Sequence, residues 1–142
     1  MISTDHFHPM LIHFPIALVL FGFLADCVSL FFKKEACLSR LGFYLLILGT
    51  ITAATALLSG VLFTSEMEGA AGKIQETHEM FAWIALVTLL VTAALRIFLQ
   101  TKNNENSNLK WISFALYGLA AVAVSITGYF GGTLVYNYMM PL

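Results

Sequence analysis

Charge is what this sequence has least of. Only 11% of its 142 residues are charged while 59% are hydrophobic, against about 25% charged in an ordinary soluble domain. Together with a mean hydropathy of +0.84, that excludes a water-solvated core and defines a membrane protein. The formal net charge of −1 gives no electrostatic footing for nucleic acid. Cysteine is nearly absent too: Cys27 and Cys37 stand alone, without the spacing of a metal site or the number needed for a disulfide framework. No Gly-rich phosphate loop, HExxH pattern or Ser/His/Asp order occurs, which removes the familiar hydrolytic chemistries.

What is present is four long apolar runs, from about Met10 to Phe32, Leu41 to Phe63, His78 to Leu99 and Trp111 to Phe130. Each has the roughly 20 residues that a helix needs to cross about 30 Å of hydrocarbon. None alternates apolar and polar residues as a barrel strand would. The expected fold is therefore all-α: a four-helix transmembrane bundle, up-down-up-down, occupying residues 1–142 as one unit. The stretches "KKEACLSR", "TSEMEGAAGKIQE" and "QTKNNENSN" are its expected loops. The N-terminus "MISTDHFHP" lacks a basic n-region and a small-residue cleavage site, so the first helix is expected to stay in place rather than to be removed as a signal peptide.

Six of the seven basic residues, Lys33, Lys34, Arg40, Arg96, Lys102 and Lys110, fall on one side of this arrangement, and only Lys73 on the other. The positive-inside rule then places both chain ends outside the cytoplasm, in a bacterial inner membrane. His6, His8, His13 and His78 collect at that outer side, because the first and third helices both begin there.

Ionisable groups within a membrane usually mark function. His8 and His13 are five residues apart, about 140° around a straight helix, so they do not face one partner together. Pro9 suits a first helical position with His8 at the cap, and Pro15 removes the bond to Leu11 and bends the first turns. Two readings of His13 follow: it satisfies carbonyls freed by the bend, or it binds a ligand. His78 on the third helix supplies a partner for the second. Each hairpin opens with a histidine and leaves with a hydroxyl-glycine pair: His13 precedes Ser59-Gly60 by 46 residues, and His78 precedes Thr127-Gly128 by 49. As parallel repeats, the hairpins would bring His13 and His78 face to face. Two imidazoles in a bundle core suit the axial ligation of haem b. A set of His8, His13 and His78 would instead hold a copper, iron or zinc ion, with Met139 and Met140 adding a preference for Cu(I). A third reading is a cofactor-free structural or assembly subunit.

Quieter signals complete the sequence. Asp26 and Arg96 lie toward the cytoplasmic ends of their helices, where an ion pair would make them tolerable, with a proton path as the alternative. Trp83, Trp111, Tyr129, Tyr136 and Tyr138 read as interfacial anchors, and Glu79 is placed to accept a proton from His78 or to orient it. Small residues at three- and four-residue spacing, such as Gly49, Ala53, Ala56 and Gly60, read as helix-packing stripes that would also permit a homodimer or docking to a larger complex.

"HPMLIHFPIAL", Asp26 in the same helix, "LSG", "THEMFAW" and "TGYFGGTLVYNY" resemble the bacterial predicted-membrane-protein family catalogued as domain of unknown function 2231, over essentially the whole chain. The resemblance implies redox work beside a cytochrome c-like or Rieske-type module; as an electron carrier the protein would serve a periplasmic cytochrome, a Rieske-type protein or a quinone. Members often carry a histidine shortly after "GGxLVY"; here that place is Asn137, so a site built from His8 and that histidine would be weakened, whereas one built from His13 and His78 would not.

The charge bias has a direct test. A reporter active only outside the cytoplasm should be active when fused after Leu142 and silent when inserted after Lys102; the opposite pattern would overturn the orientation.

Overall fold

A computed structural model describes residues 10–32, 36–103 and 106–138. They form four helices: α1 (His13–Phe31), α2 (Ala36–Phe63), α3 (Gly69–Thr101) and α4 (Ser107–Tyr138), with no strand among the described residues. All four are long and apolar enough to cross a membrane. Phe14, Phe21, Leu24, Leu48, Leu90 and Val122 are among the many large apolar side chains left exposed. Such a surface is far beyond what a water-soluble monomer shows, and it suits lipid.

α2, α3 and α4 outrun their apolar runs. α2 begins at Ala36 rather than Leu41, α3 at Gly69 rather than His78, and α4 continues to Tyr138 rather than Phe130. Hydropathy marks where lipid ends, but helical hydrogen bonding continues through helix-favouring Ala, Gln, Glu and Lys residues such as those of "GAAGKIQET". Gly69, at φ +67°, sets the start of α3, because a left-handed residue cannot continue a helix. Ile12 interrupts the helical pattern just before His13. Pro15 accordingly lies in the first turn of α1, where its missing N–H removes no helical bond.

The helices pack in ring order, α1 against α2, α2 against α3, α3 against α4 and α4 against α1, and most extensively within the hairpins α1–α2 and α3–α4. α1 and α3 are thus diagonal. We call the end at which α1 and α3 begin the upper end. The mid-bundle core gathers Val19, Leu46, Leu89, Tyr117, Ala120 and Val124. The buried threonine hydroxyls serve their own helices: Thr50 donates to the Leu46 carbonyl and Thr92 to that of Thr88, both at 2.7 Å. Among the described residues no buried side-chain nitrogen or oxygen is left without a partner in the apolar interior.

Glycines set the helix separations. A Cβ at Gly22 would lie 2.8 Å from Cβ of Leu45 and against the Tyr117 hydroxyl, and one at Gly49 would lie 2.8 Å from Val19 Cγ2. Gly132, by contrast, has open space beside it. Gly22→Ala should therefore cost about 1–3 kcal/mol through overpacking, whereas Gly132→Ala should be neutral or gain up to about 1 kcal/mol of helix propensity. Thermal unfolding followed by circular dichroism in mild detergent checks both; equal melting of the two variants would refute the packing assignment.

Candidate functional site

Two polar clusters interrupt the apolar interior, one at each end. At the lower end, the Arg96 guanidinium on α3 donates to the Asp26 carboxylate on α1 across the diagonal of the bundle. Arg96 Nε donates to Ser113 Oγ at 3.0 Å, and its guanidinium carbon lies 5.1 Å from the centroid of the Tyr117 ring. The Tyr117 hydroxyl points to the Gly42 carbonyl at 3.5 Å, and Gly42 leaves no space for a Cβ beside the Asp26 carboxylate. One ion pair thus touches all four helices. Cys27 is half-buried near it and Cys37 is exposed; both are free thiols.

At the upper end the hairpins leave between them a cavity of about 330 Å³, lined by all four helices and by the strap that joins α2 to α3. Its wall is made of small residues, including Ala53, Ala56, Gly60, Ala82, Gly128 and Gly131. Its polar groups come mostly from α3. Gln75, His78, Glu79 and Ala82 follow the i, i+3, i+4, i+7 spacing of a single helix face and all line the cavity.

His78 is held by the opposite helix of its own hairpin. Its Nδ1 lies 2.9 Å from the carbonyl oxygen of Thr127, the 49-residue spacing closing as a hydrogen bond. A carbonyl can only accept, so Nδ1 carries the proton, and in the neutral ring Nε2 presents a lone pair. Gly131 lets the ring approach: a Cβ there would lie 3.1 Å from His78 Cε1.

Gln75 is buried and ties down the strap. Its Oε1 accepts from the Met67 N–H at 2.9 Å, while its Nε2 donates to the Ser65 carbonyl at 3.4 Å and to Glu79 Oε1 at 3.2 Å. Glu66 of the strap joins the lining. Reading residues 64–76 as a loop hides Gln75; the signal was its position three residues before His78, one turn away on the same face.

The structure does not gather the two histidines singled out from sequence around one cavity. α1 contributes Ile12, Pro15 and Ile16 to the lining, while His13 is exposed and lies about 120° around the helix from buried Val19. His6, His8, Met139 and Met140 lie outside the described residues. Among the described residues, no three His, Cys, Asp or Glu side chains converge to hold a metal ion. Asn137 is exposed near the end of α4. Trp111, Tyr129, Tyr136 and Tyr138 are exposed as well, and Trp83 is exposed at the cavity rim.

Four apolar helices, an interior ion pair and a cavity set between two hairpins define an integral membrane protein of the helical-bundle class. Residues 4–141 match the model of the predicted membrane protein family DUF2231, and the chain belongs to that family. No curated protein and no solved structure matches it.

Removing one partner of a buried ion pair strands the other charge, at about 3–5 kcal/mol, whereas an apolar replacement of both costs far less. Asp26→Ala and Arg96→Ala should each destabilise by about that amount, and the double variant Asp26→Leu/Arg96→Met should recover most of it. Unfolding of the four proteins in one detergent measures the cycle; additive losses would show that the two charges do not depend on each other.

Proposed function

We propose that this protein is a membrane-embedded binding subunit whose small-molecule ligand occupies the upper cavity against His78. The observation that carries the reading is an imidazole whose Nδ1 is held by the Thr127 carbonyl 2.9 Å away, in a small-residue cavity of about 330 Å³. Sites for small molecules are of this kind: a mostly apolar wall, a few placed polar groups and a volume of roughly 300–1,000 Å³. Arg40, Arg96, Lys102 and Lys110 lie toward the lower end and Lys73 toward the upper. Under the positive-inside rule, that bias supports a cavity near the periplasmic face of a bacterial inner membrane.

Electron transfer is the second reading, and one observation favours it. Metal-ligating histidines characteristically donate their other ring N–H to a carbonyl or carboxylate, as His78 does to Thr127. That donor set fits haem b, or a copper, iron or zinc ion, with His78 as one ligand. A haem clamped by His13 and His78 together does not fit, because His13 is outside the cavity lining. The metal set His8, His13 and His78 has the same difficulty. Bound haem would supply one-electron chemistry; Thr127 would hold His78 in place, and the apolar wall would exclude water. The partner would then be a periplasmic cytochrome, a Rieske-type protein or a quinone.

Purification in mild detergent tests both readings. Native mass spectrometry should show a small molecule retained by the wild type and lost from Ala82→Leu, which fills the cavity; identical retention by both proteins would sink the binding reading. A Soret band that shifts on reduction and disappears in His78→Ala would establish haem. A colourless preparation from haem-replete cells, with no stoichiometric metal, would remove the second reading and leave the first.

A further inference from the structure

The polar side chains around the cavity are occupied with the protein itself. Thr64 gives its hydroxyl hydrogen to the Gly60 carbonyl, Thr127 gives its own to Ala123 at 2.8 Å, and Gln75 spends its amide on Met67, Ser65 and Glu79. His78 is bound to Thr127. Among the described residues no buried side-chain nitrogen or oxygen lacks a partner, so selection inside the cavity falls to shape and apolar contact.

The shape is a slot running along the bundle. Its lining extends from Gln75 to Ala85 on α3 and from Val124 to Val135 on α4, the latter about 16 Å of helix. A volume of about 330 Å³ drawn out over about 16 Å leaves a mean section of about 20 Å², which is that of one extended hydrocarbon chain. At about 30 Å³ for each water-sized group, the same volume holds about eleven chain carbons. A globular molecule of equal volume does not fit that section.

The mouth of the slot lies on one side. Of the residues that line it, the exposed ones are Val61 on α2, Glu66 on the strap, and Glu79 and Trp83 on α3, whereas those contributed by α1 and α4 are buried or half-buried. This is a seam between hairpins, where packing is sparser than within them. Val61 and Trp83 belong to the apolar spans, so the seam opens toward lipid. An apolar wall left empty forfeits its dispersion contacts, and lipid is what stands outside to supply them.

We infer that the cavity is a chain-binding slot: its ligand is a membrane amphiphile with a single apolar chain, which enters sideways from the bilayer between α2 and α3. The chain lies parallel to the helices among Ala56, Ala85 and Val124, and the head stays at the mouth. The inference rests on the binding reading above and adds the class of ligand and its route.

Photolabelling of the full chain in phosphatidylcholine nanodiscs tests it, with two lipid-soluble probes: dodecan-1-ol carrying a diazirine at mid-chain, and adamantane diazirine, equally apolar but globular. Each carbene inserts where it forms, and peptide mass spectrometry maps the labels. The dodecanol probe should label Ala56, Ala85, Val124 and Leu134 inside the slot as well as the lipid-facing Leu58, Leu90 and Val122; the adamantane probe should label the second group alone. Ala82→Leu narrows the slot and should lower the interior labels about tenfold, the effect of a mild overpacking, with the outer labels unchanged. Should that variant fail to fold, Ala53→Leu narrows the facing wall on α2. Dodecanol labels confined to the outer residues, or equal interior labelling by the two probes, would overturn the inference. The binding reading is decided separately, by whether the wild type retains a small molecule that the filled cavity loses.

Discussion

A carboxylate and a guanidinium inside a hydrocarbon slab constrain everything around them, because neither is tolerable there alone. Asp26 and Arg96 meet across the diagonal of the ring, between helices that are not neighbours. That meeting fixes more than two side chains. It requires α1 and α3 to face inward at one level, requires α2 to offer Gly42 so that the carboxylate has room, and requires α4 to supply Ser113 and the Tyr117 ring. Lipid provides no hydrophobic drive for helix association. Close packing and a few internal polar contacts must do that work, and the contact that touches all four helices is at the lower end.

The upper end is built on the opposite rule. From Arg96 back to His78 is 18 residues of α3, or about 27 Å, and over that distance the space between the hairpins opens into the cavity. Each hairpin is well packed within itself, so room appears where the two pairs face each other. The polar groups set there are held locally: His78 by Thr127 of α4 in its own hairpin, and Gln75 by the strap that joins the two hairpins. None of them needs the ion pair for its immediate geometry. Shape comes from the locked end and chemistry from the open one.

The spans were legible because lipid imposes a length and a composition that no other solvent does. Their ends were less so, since the residues after Phe130 and before His78 keep helical hydrogen bonds after the apolar pattern stops. The structure pairs the two interior charges that the sequence singles out, Asp26 and Arg96. The histidines are more instructive. His13 and His78 look alike in sequence, each at the opening of a hairpin, and what separates them is rotational phase. Pro15, Ile16 and Val19 claim the inward side of α1 and turn His13 away, whereas His78 falls in line with Gln75 and Ala82. Phase depends on which side chains a helix buries, and that is decided by its neighbours. Gln75 was hidden for a different reason: its surroundings are polar, so the apolar pattern that exposes a helix face does not reach it.

The strap between α2 and α3 carries one further consequence. Its side-chain hold on α3 passes through the Gln75 amide, which accepts from Met67 and donates both to Ser65 and to Glu79, the residue next to His78. An amide is neutral at every pH a cell meets, as are the Met67 N–H and the Ser65 carbonyl, so the two bonds that reach the strap are insensitive to acidification of the surface it faces. Those two bonds persist through changes in proton concentration that would loosen a strap fastened by charge.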